Sequence, residues 1–339
     1  MKATFTEQVQ PVTDFTVLVL EGAFAASVAS TVSILSAARK LAPRLGVPVP
    51  SWRLASVPGG TLALQDGMSV STGRIGDRAG GDGSLWIVPG LGLDSPKAIH
   101  QCLGRPDTVA AVEAIRLHAS SGGSVAASCS GVFVLNAAGL LAGKRATTAW
   151  WLAKELQRVA PDCRVDADRM VCADGLVVTA GAAFAQTDLM LHLLRSLSGN
   201  TLGDAVSRAL LIDGRQAQAP FIVPEVYANG DDLIGRLAAR VEAALPDMPS
   251  VGELAREFCM SERTLARHVK RATGKSPMAL LQSVRQRRAR TLLESSRMTV
   301  EQVASAVGYQ DATALRRLML RVAGASPSRF RPASAIATL

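Results

Sequence analysis

The sequence contains few aromatic residues, no long hydrophobic run and no clustered cysteines. Aromatic residues make up 4% of its 339 residues, and its longest nearly unbroken apolar stretch, residues 131–143, is interrupted by Asn136. A bilayer-spanning helix needs about 18 to 20 apolar residues, so no membrane segment is predicted and no membrane partner is expected. The N-terminus has one lysine and no apolar segment of the secretory type, which favours a cytoplasmic location.

Cysteine usage is equally sparse. The five cysteines are an odd number, scattered without a CxxC motif and without a histidine at ligand spacing. This pattern argues against a disulfide framework and a zinc site, and it indicates reduced thiols. No metal and no cofactor are expected. With 48% hydrophobic and 19% charged residues, the chain is long enough for two or three packed domains.

The net charge of +9 is confined to the last quarter of the chain. Residues 1–246 contain 21 Lys and Arg against 21 Asp and Glu, whereas residues 247–339 contain 16 against 7. A basic excess limited to one domain is typical of a protein that binds a polyanion, because neutralised phosphates release counterions. A solvated helical surface is the alternative interpretation of the charge alone.

In the first 200 residues, short apolar runs alternate with helical periodicity, which predicts an α/β domain with a doubly wound parallel sheet. The predicted strands are residues 15–20, 52–57, 84–88, 124–128, 146–148 and 176–180. The predicted helices are residues 25–41, ending before Pro43, and residues 109–120, 131–140 and 185–197. Residues 213–230, with two prolines and two glycines, break the pattern and are a predicted linker.

From residue 231 onward the pattern is all-α and contains an internal repeat. The first helix of each copy recurs after 49 residues, from Val251 to Val300, and the second after 50, from Leu265 to Leu315. Each copy ends in Gly-x-Ser-Pro, where glycine can cap a helix and proline prevents its continuation. The repeat predicts two helix-turn-helix units joined by a helix over residues 277–295.

The outward face of each second helix supplies the candidate DNA contacts, because that helix enters the major groove and an arginine can bond guanine O6 and N7 together. The predicted base-reading residues are Glu262, Arg263, Arg267, Thr313, Arg316 and Arg317. The predicted phosphate contacts are Lys270, Arg285, Arg287, Arg288, Arg290 and Arg321. The alternative for any single residue is an arginine that is merely exposed on a helical bundle.

Residues 231–332 resemble the AraC/XylS-type DNA-binding domain. The motifs that carry the resemblance are SVGELAREFCMSERTLARHVKRATGKSP, the Gly-Tyr pair at 308–309 and the closing SPSRFR. The sequence departs from the family at Leu315 and Met319, where the second recognition helix usually carries aromatic residues. Residues 333–339 form a tail. Double-stranded DNA is the partner that this resemblance implies.

The segment GGSVAASCSGVF places Cys129 between a predicted strand and a predicted helix. A helix N-terminus stabilises a thiolate, so the pKa of Cys129 is expected to be lowered. The segment, continued by NAAGLLAGKRATT, resembles the PfpI-type, glutamine-amidotransferase-like sensor domain, which implies a flavodoxin-like fold for residues 1–212. In that family the VPG loop forms an oxyanion site, where the backbone N–H groups of Gly90 and Leu91 would point into the pocket.

The resemblance also implies that this domain is not a catalyst. Members that keep the catalytic machinery carry histidine after Thr-Thr, whereas this chain has Ala149. The acidic partner of catalytic relatives is missing as well, since Glu21 is near its place but not equivalent. The site is therefore predicted to be a ligand pocket. Its predicted lining is Cys129, Ser130, Gly90, Leu91, Glu21 and Trp150.

Taken whole, the chain resembles the GlxA-type subgroup of AraC regulators. The resemblance implies a cytoplasmic transcription regulator that dimerises through its N-terminal domain and contacts RNA polymerase if it is an activator. Related regulators respond to amino acids and quaternary amines, which makes such a metabolite the expected effector. One alternative is a cysteine hydrolase or amidase with a DNA-binding tail. Another is a redox sensor that uses Cys129, or Cys163 and Cys172 across a hairpin.

Overall fold

The computed structural model describes residues 14–75, 83–212, 232–273, 276–296, 298–323 and 326–327. The chain divides into two compact units, Met1–Arg215 and Gln216–Leu339. The predicted linker at 213–230 and the tail at 333–339 lie outside the described residues. Within the described ranges, no helix is both long and apolar enough to cross a membrane.

The first unit is built on a mainly parallel β-sheet. The strands described in it are β1 (Asp14–Leu18), β2 (Ser51–Ser56), β3 (Gly60–Ala63), β4 (Ser69–Arg74), β5 (Leu85–Val88), β6 (Val125–Ser128), β7 (Arg145–Ala146), β8 (Arg164–Val165), β9 (Val171–Asp174) and β10 (Val177–Ala180). Eight of them form one sheet in the order β3-β4-β2-β1-β5-β6-β10-β9, and β7 pairs separately with β8. The two edge strands, β3 and β9, are antiparallel to their neighbours, and the six inner strands are parallel.

Helices cover this sheet. They are α1 (Ala25–Leu45), α2 (Pro96–Leu103), α3 (Pro106–Ser120), α4 (Val132–Ala137), α5 (Ala153–Val159), α6 (Ala185–Ser198) and α7 (Asn200–Ala209). Helices α1, α6 and α7 contact one another, and α2, α3 and α4 form a second group. Every residue of β5, β6 and β10 is buried, as expected for parallel strands with both faces covered. The predicted α/β fold class of this unit is confirmed.

Helix α1 is longer than the sequence pattern predicts. It continues through Pro43 to Leu45, so the prediction that it stops before Pro43 is wrong. A proline in the last turn removes only its own N–H from the helix, and the bonds of the preceding turns survive. The helix ends instead at Gly46, whose left-handed conformation (φ 65°) directs its N–H to the carbonyls of Ala42 and Pro43.

The predicted hairpin around Cys163 and Cys172 is also wrong. Cys163 directly precedes β8, which pairs with β7, whereas Cys172 lies in β9, which pairs with β10, so the two cysteines do not face each other across a hairpin. Strands β3 and β4 and helices α2, α5 and α7 are present without having been predicted. The three helices have ten residues or fewer, and β3 and β4 are largely exposed.

The second unit is all-α, as predicted. Its described helices are α8 (Asp232–Ala243), α9 (Val251–Glu257), α10 (Glu262–Thr273), α11 (Pro277–Ser295), α12 (Val300–Ala306) and α13 (Ala312–Ala323). Buried side chains from α8, α9, α10 and the first half of α11 form one core, and those from the second half of α11, α12 and α13 form another. The pairs α9–α10 and α12–α13 are the two predicted helix-turn-helix units, and α11 is the predicted helix between them.

Candidate DNA-binding surface and elbow cysteine

The first helix-turn-helix unit exposes the residues predicted to read bases. Helix α9 begins at a capping box in which the Ser250 hydroxyl accepts from the N–H of Glu253 and the Glu253 carboxylate accepts from the N–H of Ser250. On α10, Leu265 and Val269 are buried in the core. The opposite face carries Glu262, Arg263 and Arg267, all of which are exposed.

The second helix-turn-helix unit repeats this arrangement. Helix α12 begins at a capping box formed by Thr299 and Gln302. Helix α13 buries Leu315 and Met319, so aliphatic side chains fill the places where the family usually has aromatic ones. Its outer face exposes Thr313, Arg316 and Arg317, and Arg316 is held by Glu301 of α12 at a N–O distance of 3.0 Å.

The predicted phosphate contacts differ among themselves in placement. Lys270 and Arg288 are exposed. Arg287 and Arg290 are half-buried, and Arg287 forms an ion pair of 3.6 Å with Glu242 of α8. The side chain of Arg321 lies outside the described part of the chain.

Arg285 departs from its predicted role as a phosphate contact. Its Nε donates to the carbonyl of Val307 at 2.8 Å, and a second guanidinium nitrogen donates to the carbonyl of Gly308. Its Cζ lies 3.9 Å from the centre of the Tyr309 ring. The guanidinium is therefore committed to contacts inside the unit rather than directed outward.

In the N-terminal α/β unit of the chain, Cys129 lies at the turn that follows β6. Its backbone is left-handed (φ 52°), a strained conformation for a residue other than glycine. Two bonds hold it there: its N–H donates to the Gly181 carbonyl at 2.7 Å, and its carbonyl accepts from the Thr148 hydroxyl at 2.7 Å. The predicted elbow geometry is present, because strand, turn and helix follow one another directly.

The expectation of a lowered pKa at Cys129 is wrong. Its side chain is only 2% exposed, and burial raises the pKa of the thiol to about 11, although hydrogen bonds from the backbone and side chain of Ser130 act in the opposite direction. The helix after the elbow, α4, has six residues, and a short 3-10 turn precedes it. Desolvation of the thiolate therefore outweighs the field of so short a helix.

The loop predicted to form an oxyanion site packs tightly on the elbow. A methyl group at Gly90 would lie 3.2 Å from Cβ of Cys129 and 3.4 Å from Oγ of Ser27. The N–H groups of Leu91 and Leu93 both donate to the hydroxyl of Ser130, each at 3.2 Å. The N–H of Leu91 is therefore satisfied within the protein instead of pointing into a pocket, contrary to prediction.

The structure separates the remaining predicted lining residues from this cluster or leaves them as packing groups. The Glu21 side chain is 55% exposed and forms an ion pair with Arg105 at 3.2 Å. Ala149, where catalytic relatives have histidine, is fully buried. Trp150 packs edge-on against Trp151, with ring centres 5.3 Å apart.

Three hydroxyl residues near the elbow were missed by the sequence analysis: Ser27 of α1, Ser128 and Thr148. Ser27 donates to the carbonyl of Ala183 and lies against Gly90. Ser128 is fully buried, and its hydroxyl has no hydrogen-bond partner among the residues that the structure describes. The run Ser-Cys-Ser was the sequence signal for Ser128, and the Thr-Thr pair before Ala149 was the signal for Thr148. Ser27 had no such signal, because it reaches the elbow from a distant part of the chain.

The other cysteines of this unit show no sign of thiolate character. Cys163 and Cys172 are buried as free thiols. Burial raises the pKa of both, to about 11 for Cys172.

An α/β domain with an elbow cysteine, followed by two helix-turn-helix units with arginines on both recognition helices, defines a two-domain DNA-binding regulator. Comparison with known proteins agrees. Residues 24–196 match the DJ-1/PfpI family and residues 254–333 match a helix-turn-helix domain. The chain belongs to the DJ-1/PfpI family and carries an AraC-type DNA-binding domain.

Two curated regulators are similar to this chain over most of its length. The HTH-type transcriptional regulator CdhR of Pseudomonas aeruginosa is 28% identical over 94% of this chain and 91% of its own length. The HTH-type transcriptional regulator GlxA of Rhizobium meliloti is 25% identical over 90% of this chain and 91% of its own. A crystal structure of an AraC family transcriptional regulator from Pseudomonas putida, 22% identical, covers 59% of this chain and all of its own with a TM-score of 0.49. The predicted resemblance and the DNA-binding regulatory function are confirmed.

Proposed function

We propose that this regulator is controlled by a small metabolite that binds its N-terminal domain without being chemically changed. Residues 1–212 form the sensing and dimerisation domain, residues 213–230 the linker and residues 231–332 the DNA-reading domain. The protein acts in the cytoplasm as a homodimer and contacts RNA polymerase where it activates. The DNA-reading part rests on one observation: both recognition helices bury an apolar face and expose arginines on the other.

Base recognition is assigned to Arg263, Arg267, Arg316 and Arg317, with Glu262 and Thr313 beside them. All six side chains are exposed on the two recognition helices. Two helix-turn-helix units on one chain favour boxes in successive major grooves, about 10 to 10.5 base pairs apart. Lys270 and Arg288 are exposed and are proposed to contact phosphates, whereas Arg285 bonds the carbonyls of Val307 and Gly308.

The test of this assignment is a binding selection of the full-length protein on randomised duplex DNA at about 150 mM salt. We expect a motif of two boxes one helical turn apart. Arg267→Ala should relax one box and Arg317→Ala the other, each at a loss of about 1 to 3 kcal/mol. Arg116→Ala, an exposed arginine of the first unit, is the control that leaves both boxes unchanged. Relaxation of neither box by the two test variants would contradict the assignment.

Three features of the elbow support sensing over catalysis. The Cys129 thiol is buried with a raised pKa, a buried alanine stands at the position of the expected base, and the N–H of Leu91 is already bonded to Ser130. A thiol without a base loses general acid–base assistance commonly worth about 10² to 10⁴ in rate. Amide or ester hydrolysis by the purified protein that Cys129→Ala abolishes would overturn the non-catalytic proposal.

The effector is proposed to bind beside the elbow, between the loop at Gly90 and Leu91 and the residues Cys129 and Ser130. The buried hydroxyl of Ser128, which no described residue bonds, gives this place a polar group for a polar ligand. Amino acids and quaternary amines are the first candidates, because related regulators respond to them.

Tryptophan fluorescence provides the assay, because all four tryptophans lie in the first unit. An effector should raise the melting temperature of this unit and change the affinity for DNA. Gly90→Ala, which narrows the space at Cys129, should weaken both effects. The control Gly73→Ala, whose added methyl group meets only the carbonyl of Leu54 at 3.7 Å, should not. A ligand that stabilises the unit without changing DNA affinity would refute the sensing role.

A further inference from the structure

The repeat in the second unit extends further than the two helix-turn-helix pairs. Arg236 of α8 and Arg285 of α11 are 49 residues apart, the same spacing that relates Val251 to Val300. Each guanidinium lies over an aromatic ring near the turn of the helix-turn-helix pair that follows it in the chain. The Cζ of Arg236 lies 5.1 Å from the centre of the Phe258 ring, and the Cζ of Arg285 lies 3.9 Å from the centre of the Tyr309 ring. The unit is therefore a tandem pair of three-helix modules, α8–α10 and α11–α13.

The hydrophobic cores of the two modules are separate. In the described part of the unit, no residue belongs to both buried clusters. Helix α11 links them, since Leu280, Leu281 and Val284 enter the first core and Ala289 and Leu293 enter the second. The relative placement of the two recognition helices therefore depends on how the α12–α13 pair is fixed to α11 and to the first module.

Arg285 lies at the junction, between the last α11 residue of the first core and the first of the second. It donates to the carbonyls of Val307 and Gly308, which follow directly on α12. A cation is favoured at this place, because the carbonyls at a helix C-terminus carry partial negative charge. The planar guanidinium can bond two carbonyls and lie on the Tyr309 ring at once, a geometry that lysine does not reproduce.

Two further contacts fix the same turn. The hydroxyl of Tyr309 donates to the side-chain carbonyl of Gln282 on α11 at 3.0 Å. Gly308 lies so close to the carbonyl oxygen of Pro246, in the connection between α8 and α9, that a β-carbon would overlap it. The turn of the second module is thus held by α11 on one side and by the first module on the other.

We propose that Arg285 is a positioning residue that sets the spacing between the two DNA boxes. It acts by fixing α12–α13 on α11, so that α10 and α13 reach successive grooves at one separation only. The proposal rests on the two-box reading of DNA proposed above.

The test measures the affinity of the full-length protein for a duplex selected by the wild type from a randomised library, and for the same duplex with one or two base pairs inserted between the boxes. The wild type should lose at least about tenfold in affinity on insertion, as for a mismatched site. Arg285→Gln should lose less than about threefold on the same insertion. Circular dichroism checks that the helices remain folded.

Arg288→Gln is the matched control, because Arg288 is an exposed arginine on the same helix and the substitution removes the same charge. It should weaken binding equally at all spacings and lower the salt dependence by about one phosphate contact. The same behaviour in Arg285→Gln, or an unchanged spacing preference, would overturn the proposal.

If Arg285→Gln does not fold, Arg285→Lys takes its place, with the relaxed spacing expected and the wild-type preference counting against the proposal. A wild-type protein that selects no two-box motif instead contradicts the two-box reading, before any variant is compared.

Discussion

Cys259 and Gly308 occupy equivalent positions in the turns of the two helix-turn-helix units, and both have a left-handed backbone, with φ of 56° and 80°. Each directly follows the residue that caps the C-terminus of the first helix of its pair, Phe258 after α9 and Val307 after α12. A left-handed conformation is unfavourable for a residue with a β-carbon and free of that strain for glycine. The first turn therefore contains strain that the second does not.

Replacing Cys259 with glycine should stabilise the second unit by about 1 kcal/mol or less. Relief of the left-handed strain is worth about 1 to 2 kcal/mol, and the greater freedom of glycine in the unfolded chain offsets part of it. Denaturant unfolding followed by far-UV circular dichroism measures the change. A lower stability of the variant would show that the turn is not strained at this position.

Replacing Gly308 with alanine should destabilise the second unit by at least about 2 kcal/mol, because strain is added to overlap with the carbonyl of Pro246. Cys259→Ala is the matched control and should be nearly neutral, since that turn already accommodates a β-carbon at positive φ. The comparison uses the same unfolding assay. Equal effects of the two alanines would contradict the close approach of Gly308 to Pro246.

Only one of the five cysteines should react rapidly with a thiol reagent in the folded protein. Cys259 is exposed, whereas Cys102, Cys129, Cys163 and Cys172 are buried. Titration with a chromogenic disulfide should give one fast equivalent, which Cys259→Ser removes, and five after unfolding. Rapid modification of Cys129 in the folded protein would instead favour the redox-sensor or hydrolase alternatives.

The first unit should lose stability as the pH rises from about 9 towards 11. The Cys129 thiol has an ordinary pKa of 9.0 and a folded-state pKa of about 11, so between these values the folded protein binds more protons than the unfolded one. Stability then decreases with rising pH, by about 1 kcal/mol for this thiol by pH 10.

Unfolding followed by tryptophan fluorescence at about pH 8 and at about pH 10 isolates the contribution of the Cys129 thiol to this loss of stability. Cys129→Ala should lose less stability over this interval than the wild type, whatever its stability at the lower pH. Cys259→Ala, which changes an exposed thiol in the other unit, should show the wild-type dependence. A Cys129→Ala protein with the full alkaline loss would contradict the raised pKa.

Local patterns were sufficient for the elements that form the centre of each unit. The buried strands β5, β6 and β10 are short apolar runs, and the recognition helices have a regular apolar face, so periodicity located them. Strands β3 and β4, at one end of the sheet, were not predicted because they are polar and largely exposed, and only their pairing defines them. The predicted end of α1 before Pro43 was wrong because a proline can lie in the last turn of a helix without breaking the turns before it.

The residues of the candidate site at the elbow were likewise predicted only in part from the sequence. Cys129 and Ser130 are adjacent in sequence, and Gly90 belongs to a recognisable loop, so the sequence brought these residues together correctly. Ser27 and Thr148 approach the elbow only through the folding of α1 and of the chain after β7. The Thr-Thr pair marked Thr148 in the sequence, but nothing local marked Ser27 or the contact of either residue with the elbow. The direction of the Cys129 pKa shift was wrong because it depends on burial, which the motif does not specify.

The sequence by itself determined the two-part organisation, the repeat of the helix-turn-helix units and the faces of the recognition helices, because each of these follows from periodicity and composition along the chain. Only the tertiary structure decided that Arg285 bonds two carbonyls inside the unit while Arg288, three residues along the same helix, is exposed. The sequence alone does not distinguish two arginines on the same helix, because their side chains are chemically identical. What separates their roles is which of them faces the C-terminal carbonyls of a neighbouring helix, and packing alone sets that.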